Sequence, residues 1–218
     1  MSGALPNTDF ESVKITSNTP TMITTAVSGI RQAKQVASQF WTIEANYRPL
    51  TSREAKTIQG FIAKQRGSLY DFTVIIPTIS TANGDINLVR AANPSTSDTM
   101  VTTANAALGT NSIAFDTAFN SSLFAPAGGS ATRGLQAGDY IKFAGHTKVY
   151  QIIEDVSFGA TGGGTFTIFP NLMSAVTNGE QIIYNSVPFT VFNTETGQDV
   201  SFSIGDEVAI SLKLQESL

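Results

Sequence analysis

Residues 40–47, Phe-Trp-Thr-Ile-Glu-Ala-Asn-Tyr, followed by Arg48-Pro49-Leu50 and then Thr51-Ser-Arg-Glu54, decide how this chain is read. Trp41, Ile43, Ala45 and Tyr47 alternate with mostly polar neighbours, the period of a strand with one buried face. Arg48-Pro49 stops it. Thr51 and Glu54 then have the spacing of a capping box, in which each side chain satisfies the other's unpaired backbone N–H. Leu50 and Ala55 stand where a hydrophobic staple belongs, and Ala55, Ile58, Phe61 and Ile62 repeat at the spacing of one apolar helix face. Lys64 and Arg66 fall in the last turn, where cations complement the helix dipole, and Gly67 can take a left-handed C′ position. The spacing predicts a helix over about 51–66. Asp71-Phe-Thr-Val-Ile-Ile-Pro77 reads as a short apolar strand closed by a proline.

Outward from this core, residues 1–9 show no periodicity and read as an arm that is disordered alone but could lie on a neighbour in a multimer. Phe10–Ser17 and Thr21–Ile30 read as two strands of one hairpin, turning at Asn18-Thr-Pro20. Ser28–Gln35 reads as a polar bridge, with Arg31 and Lys34 as loop or edge charges.

From Thr78 to about Ser130 the composition shifts to Ala, Asn, Thr, Ser and Gly, with a Gly128-Gly129 break. Ile86–Arg90 and Asn111–Asp116 are short strand candidates there, and 95–103 and 120–133 read as loops. Tyr140–Ala144, a long Thr147–Val156, Thr165–Phe169 and Gln181–Tyr184 follow as strands, with Phe158–Gly164 a glycine-rich loop. Closely spaced strands of this kind suggest a small barrel built from hairpins. Val187–Phe192, Val200–Ile204 and Glu207–Gln215 resume the first part, the last with Val208, Ile210, Leu212 and Leu214 on one buried face. The expected fold is mainly β. A β-sandwich-like domain with one α-helix, residues 1–77 and 186–218, carries an inserted small β-barrel domain, residues 78–185.

Composition narrows the function. The 218 residues have no cysteine, which excludes disulfides, a thiolate nucleophile and Cys-ligated metal. No apolar run approaches the ~20 residues of a membrane span and the start lacks a secretory pattern, so a soluble protein with no membrane partner is expected. A net charge of −4 gives no electrostatic case for holding nucleic acid. Charged residues make up 14% of the chain against about 25% in an ordinary soluble domain. Ser and Thr together come to 48 residues against 30 charged ones. A surface so thinly charged suits a protein packed against neighbours, because charges are depleted at interface cores.

The motifs of the first paragraph, with "PLTSREA" at 49–55, "FIAKQRG" at 61–67 and "LYDFTVIIP" at 69–77, resemble the core of tailed-bacteriophage tail-tip and baseplate proteins of the distal tail, or adaptor, type. "LQAGDYIKFAGHTKVYQIIEDV" at 135–156, "GTFTIFPNLMSAVTNGEQIIY" at 164–184 and "VAISLKLQES" at 208–217 are similar to the small β-domain and closing strand of such proteins. The resemblance implies a virion structural protein, assembled in the host cytoplasm, that links the distal end of the tail tube to the baseplate hub or fibres. It implies a homo-oligomeric ring of six, with DNA only in transient passage through its channel.

No residue pattern argues for chemistry. His146, the one histidine, falls in a hairpin turn. Asp139 and the many serines offer a formal triad, but no Gly-x-Ser-x-Gly elbow supports it. Glu154 and Asp155 are adjacent on a strand and face opposite ways, a poor start for a metal site. Asp9, Glu11, Glu195 and Asp199 could supply a glycosidase-like carboxylate pair, but Trp41, the single Trp, is assigned to a core face. Gly162-Gly-Gly164 lacks the Lys-Ser/Thr and helix of a phosphate loop. Catalytic, cofactor-binding and metal residues are therefore all expected to be none, and no cofactor is expected. The alternative is a receptor- or carbohydrate-binding module using Phe124, Phe158 or Tyr150 at loop tips, with His146 nearby.

Overall fold

The structure, a computed structural model, describes residues 3–6, 8–84, 86–87, 100–117, 133–158, 163–195, 200–202 and 207–218. They form two compact units, Met1–Val74 with Phe189–Leu218, and Ile75–Pro188.

The strands of the first part are β1 (Phe10–Asn18), β2 (Thr21–Thr25), β3 (Arg31–Gln35), β4 (Phe40–Tyr47), β5 (Leu50–Thr51) and β6 (Phe72–Ile75), with helix α1 (Ser52–Gln65) between the last two. The second part contributes β7 (Met100–Thr102), β8 (Ser112–Thr117), β9 (Arg133–Leu135), β10 (Tyr140–Phe143), β11 (Val149–Ile152), β12 (Val156–Ser157), β13 (Gly164–Phe169) and β14 (Gln181–Ile183). The chain finishes with β15 (Pro188–Asn193), β16 (Val200–Phe202) and β17 (Glu207–Glu216). This is the mainly-β architecture expected, with one α-helix and a closed barrel.

In the first unit a sheet runs β1-β4-β17-β15-β6, with β5 and β16 on the N-terminal half of β17. β17 is the spine. Its residues 207–210 lie between β5 and β16, and its residues 211–216 between β4 and β15. Alternation explains the position: Val208, Ile210, Leu212 and Leu214 are buried with Trp41, Ile43, Ala45 and Tyr47 of the neighbouring strand. Where β4 and β17 part company, the buried Glu216 carboxylate accepts the Trp41 N–H at 3.2 Å.

Helix α1 starts as its sequence dictates. Thr51 Oγ1 accepts the Glu54 N–H at 3.4 Å, and Glu54 Oε2 accepts the Thr51 N–H at 3.0 Å. Ala55, Ile58 and Ile62 are buried, and Phe61 meets Phe72 of β6 edge to face at 5.3 Å. The helix end differs in detail, because Arg66 itself takes the left-handed conformation at φ 54° and Gly67 follows at 69°. Pro77 opens a short 3-10 turn, Pro77–Ile79, so the strand before it stops at Ile75.

Several pairings differ from the sequence reading. β1 pairs with β4, not β2; β2 pairs with β3, so Arg31–Gln35 is a strand. A bulge between Phe10 and Ser12 puts Phe10 on the half-buried side with Val13 and Ile15. Residues 3–5, expected within a disordered arm, are paired: the Leu5 N–H bonds Thr73 O at 2.9 Å and the Thr73 N–H bonds Gly3 O at 3.0 Å, covering the outer edge of β6. Burial of Leu5 holds it there.

In the second unit β10-β11-β13-β8-β7-β14 close into a six-stranded barrel. Ile113 and Phe115 of β8, Phe166 and Ile168 of β13, Ile141 and Phe143 of β10 and Tyr150 and Ile152 of β11 belong to one core cluster. An eight-stranded barrel is only just wide enough for its own side chains, so six strands lined by these rings leave no ligand chamber. The β9–β12 pair adds Leu135, Val156 and Phe158 to the same core.

One contact there sets a tight limit. Gly134 lies opposite the irregular step between Val156 and Ser157, and a Cβ on it would overlap the Phe158 ring, while a Cβ on Gly84 would overlap the Gly134 carbonyl. Two glycine backbones and one ring are thus stacked without room for a methyl group.

Met100–Thr102, expected within a loop, is a strand whose Met100 and Thr102 are buried. Residues 95–99 lie outside the described residues, as does most of 120–133. Ile86 and Asn87 have helical backbone where a strand was expected, and 88–90 lie outside the described residues. The long strand expected over 147–156 is broken at 153–155 into β11 and β12.

Candidate functional site

His146 is the natural place to look for chemistry, and its geometry assigns it another task. The turn after β10 is closed by the His146 N–H to Phe143 O at 3.0 Å. Its side chain is only 5% exposed. Nδ1 is 3.2 Å from the Tyr150 hydroxyl and Nε2 is 3.4 Å from Ala175 O. The Tyr150 oxygen accepts the Met173 N–H at 3.1 Å, and its own proton can then be donated to Nδ1. That places the imidazole proton on Nε2, where Ala175 O accepts it. One neutral tautomer therefore satisfies the whole set.

Glu180 completes the cluster. Its Oε1 accepts the Gly145 N–H at 3.0 Å and its Oε2 the Thr177 N–H at 3.3 Å, and Oε1 is 3.9 Å from His146 Nε2. The group ties the 143–150 turn to residues 173–180. A general base needs a free ring nitrogen facing a nucleophile, and here both nitrogens hold structural partners.

Most of the other described candidates also hold structural partners. Asp139 is buried, its Oδ1 accepting the Asn83 N–H at 2.9 Å and its Oδ2 the Gln136 N–H at 2.8 Å. Glu154 and Asp155 lie in the break between β11 and β12, not on a strand; they accept from Thr167 Oγ1 at 3.1 Å and from the Ala137 N–H at 3.1 Å. Asp9 pairs with Arg48 at 3.6 Å, Glu195 with Lys213 at 2.7 Å, and Glu11 is an exposed residue of β1. Asp199, Phe124 and Gly162 lie outside the described residues. Gly164 opens β13, and a Cβ on Gly163 would stand 3.1 Å from the Phe115 carbonyl oxygen. Among the described residues no three His, Asp or Glu are grouped to hold a metal ion.

The loop-tip aromatics of the binding-module reading are not at tips. Tyr150 and Phe158 are both buried in the barrel core, packed on Phe143 and Phe115 at 5.5 and 5.4 Å. Trp41 is on the core face that alternation assigned to it. Burial first, and Asp9 second, push the Tyr47 phenol well above its ordinary pKa, so it stays neutral.

What sequence reasoning missed is apolar surface. Met22, Ile23, Val27, Ile30 and Val36 all stand exposed on or beside the β2–β3 hairpin. The signal was there: two five-residue runs flanking a five-residue connection that contains Gly29.

Residues 98–187, which contain all the barrel strands, match the family model described as distal tail protein pb9, B domain. The whole chain is similar to distal tail protein pb9 of Escherichia phage T5, 24% identical over 218 residues, covering 98% of this chain and 94% of the relative. Through both of its units the chain is thus similar to a distal tail protein of a bacteriophage, and its barrel region matches the B domain of that protein.

Proposed function

We propose that this protein is an adaptor ring between the distal end of the tail tube and the baseplate hub or fibre proteins. Similarity running through both units of the chain to a distal tail protein is the observation that carries this reading. Six copies form the ring, and residues 1–77 with 186–218 make its body. Residues 78–185 are a domain inserted into that body. The ring surrounds a channel that DNA crosses without being held, and a chain of net charge −4 with 14% charged residues suits such a lining.

Native mass spectrometry and electron microscopy of the purified full chain, alone and with its tail-tube protein, test the proposal. The expected result is a closed ring of six that binds the tube end. A monomer at high concentration that also fails to bind tube protein would overturn it.

A further inference from the structure

Helix α1 carries, on its outer face, a glycine that no described contact of the chain requires. The buried residues Ala55, Ile58, Ile62 and Gln65 form one stripe. At 3.6 residues per turn Gly60 falls opposite the middle of that stripe, at the centre of the exposed side. Glycine is the costliest helix-interior residue after proline. Here its backbone is not left-handed, and a Cβ on it would meet nothing within 4 Å. A glycine held at such a place fits a close approach of another backbone from outside.

The charge around it is one-sided. Lys56 and Lys64 stand about one turn to either side of Gly60 and Arg53 about two turns before it, all exposed, with Arg66 just past the helix end. Residues 52–66 hold these four cations against Glu54 alone, a balance of +3 in a chain of −4, which leaves −7 for the remainder. Glu54 is turned into the cap, and Arg53, Lys56 and Arg66 have no ion pair among the described residues. Directly beyond, Leu69 and Tyr70 are 63% and 44% exposed, on a turn fixed by the Tyr70 N–H to Gln65 O at 3.3 Å.

Chemistry restricts the occupant. A cationic face lining the channel would hold the phosphates that must pass, so DNA is not what it meets. A second copy is a poor match among the described side chains: Asp9, Glu44 and Glu195 pair with cations of their own chain, and Asp139, Glu180 and Glu216 accept backbone N–H groups. What remains is an acidic surface on a different tail protein. α1 belongs to the ring body that continues the tube's channel, and the tube end is what that body meets.

We infer that the outer face of α1 docks an acidic surface of the tail-tube protein. Gly60 is the point of closest backbone approach, Arg53, Lys56 and Arg66 pair with carboxylates, and Leu69 and Tyr70 are the apolar anchors. The inference rests on the adaptor reading above and names the surface that reading would use.

The test measures binding of the virion's own tail-tube protein to the full chain, to R53E/K56E, to Gly60→Gln and to a control at a distant exposed site, L108D, over a range of salt. All should fold, because every substituted position is exposed. Gly60→Gln should melt at or above wild type, since glutamine is the better helix former. The expected result is that R53E/K56E binds about tenfold more weakly or worse with a flatter salt dependence. Gly60→Gln should lose about as much with its salt dependence unchanged, while L108D binds normally and native mass spectrometry finds the same assembly for all four. Tube binding equal to wild type in both α1 variants would overturn the inference and leave the adaptor reading standing. Variants that no longer assemble would assign the face to a contact between copies, variants that lose only the hub protein would assign it to the hub, and a short DNA duplex held by wild type and released by R53E/K56E would assign it to nucleic acid; each overturns it. Wild-type protein that does not bind the tube would remove the inference together with the adaptor reading.

Discussion

Gly134→Ala should be among the most damaging small substitutions in the barrel, and the structure says why. Gly134 is not among the glycines in the left-handed region, so left-handed strain is not the reason for the cost. The cost is the collision of the new methyl with the Phe158 ring. Phe158 cannot swing aside freely, being 2% exposed and set edge-on to Phe115 at 5.4 Å and 66°. Overpacking costs about 1–3 kcal/mol, and spoiling the aromatic pair adds about 0.5–1.5 kcal/mol. A loss of about 3 kcal/mol is expected from the two together. Phe158→Ala should itself cost about 3–5 kcal/mol. In the double variant the methyl added at position 134 points into the space that the ring vacates. Its cost should stay close to that of Phe158→Ala, about 2 kcal/mol or more below the sum of the singles. Urea titration followed by near-ultraviolet circular dichroism, to which Tyr140, Tyr150 and Tyr184 contribute from the second unit and Tyr47 and Tyr70 from the first, measures this when compared with the fluorescence of Trp41, which follows the first unit alone. Additive singles, or a Gly134→Ala protein as stable as wild type, would refute the reasoning.

Thr51→Ala removes the N-cap of α1 and should cost about 1 kcal/mol by chemical denaturation, read from the Trp41 signal. The cap also makes stability pH-dependent. Hydrogen bonds from the Thr51 backbone and side chain, with Arg48 nearby, hold the Glu54 carboxyl below the ordinary glutamate range. Its contribution is full above the unfolded-state pKa of about 4.3 and is lost as pH falls through the lowered folded-state value. Wild type should therefore lose more stability than Glu54→Gln on acidification over that window, and parallel profiles would count against the capping box. Tyr150→Phe leaves the Met173 N–H and His146 Nδ1 without their shared partner and should destabilise the barrel by about 1–3 kcal/mol in thermal melts; an unchanged melt would mean the cluster is not structural.

Features written in a local code were legible in the sequence. The capping box at Thr51, the inward alternation of Trp41–Tyr47 and the closing strand 207–216 need only neighbouring residues to declare them. Pairing was harder. Nothing local distinguishes β1 turning back on β2 from β1 waiting for β4, since both leave its alternation intact until the bulge at Phe10. β3 has no buried face, so its five residues carry no period to detect. Met100–Thr102 is too short to show one. At the candidate site, residue type suggested exposure because turns are usually polar, but Tyr150 and Phe158 fold inward to complete the packing of the barrel. The exposed apolar tip at Val27 and Ile30 was hidden for the same reason in reverse, because an apolar run reads as strand.

The chain leaves the first sheet at β6 and rejoins it at β15, and these two strands lie side by side. Just beyond them the outgoing and returning segments are stitched together by the Ser186 N–H to Ser80 O and by the Asn185 side chain to Ala82 and Asn87. Anything placed between such neighbours costs the host sheet no more than a tight turn would. The two ends of the intervening segment are therefore held at the separation of one strand pair, whatever lies between them in sequence.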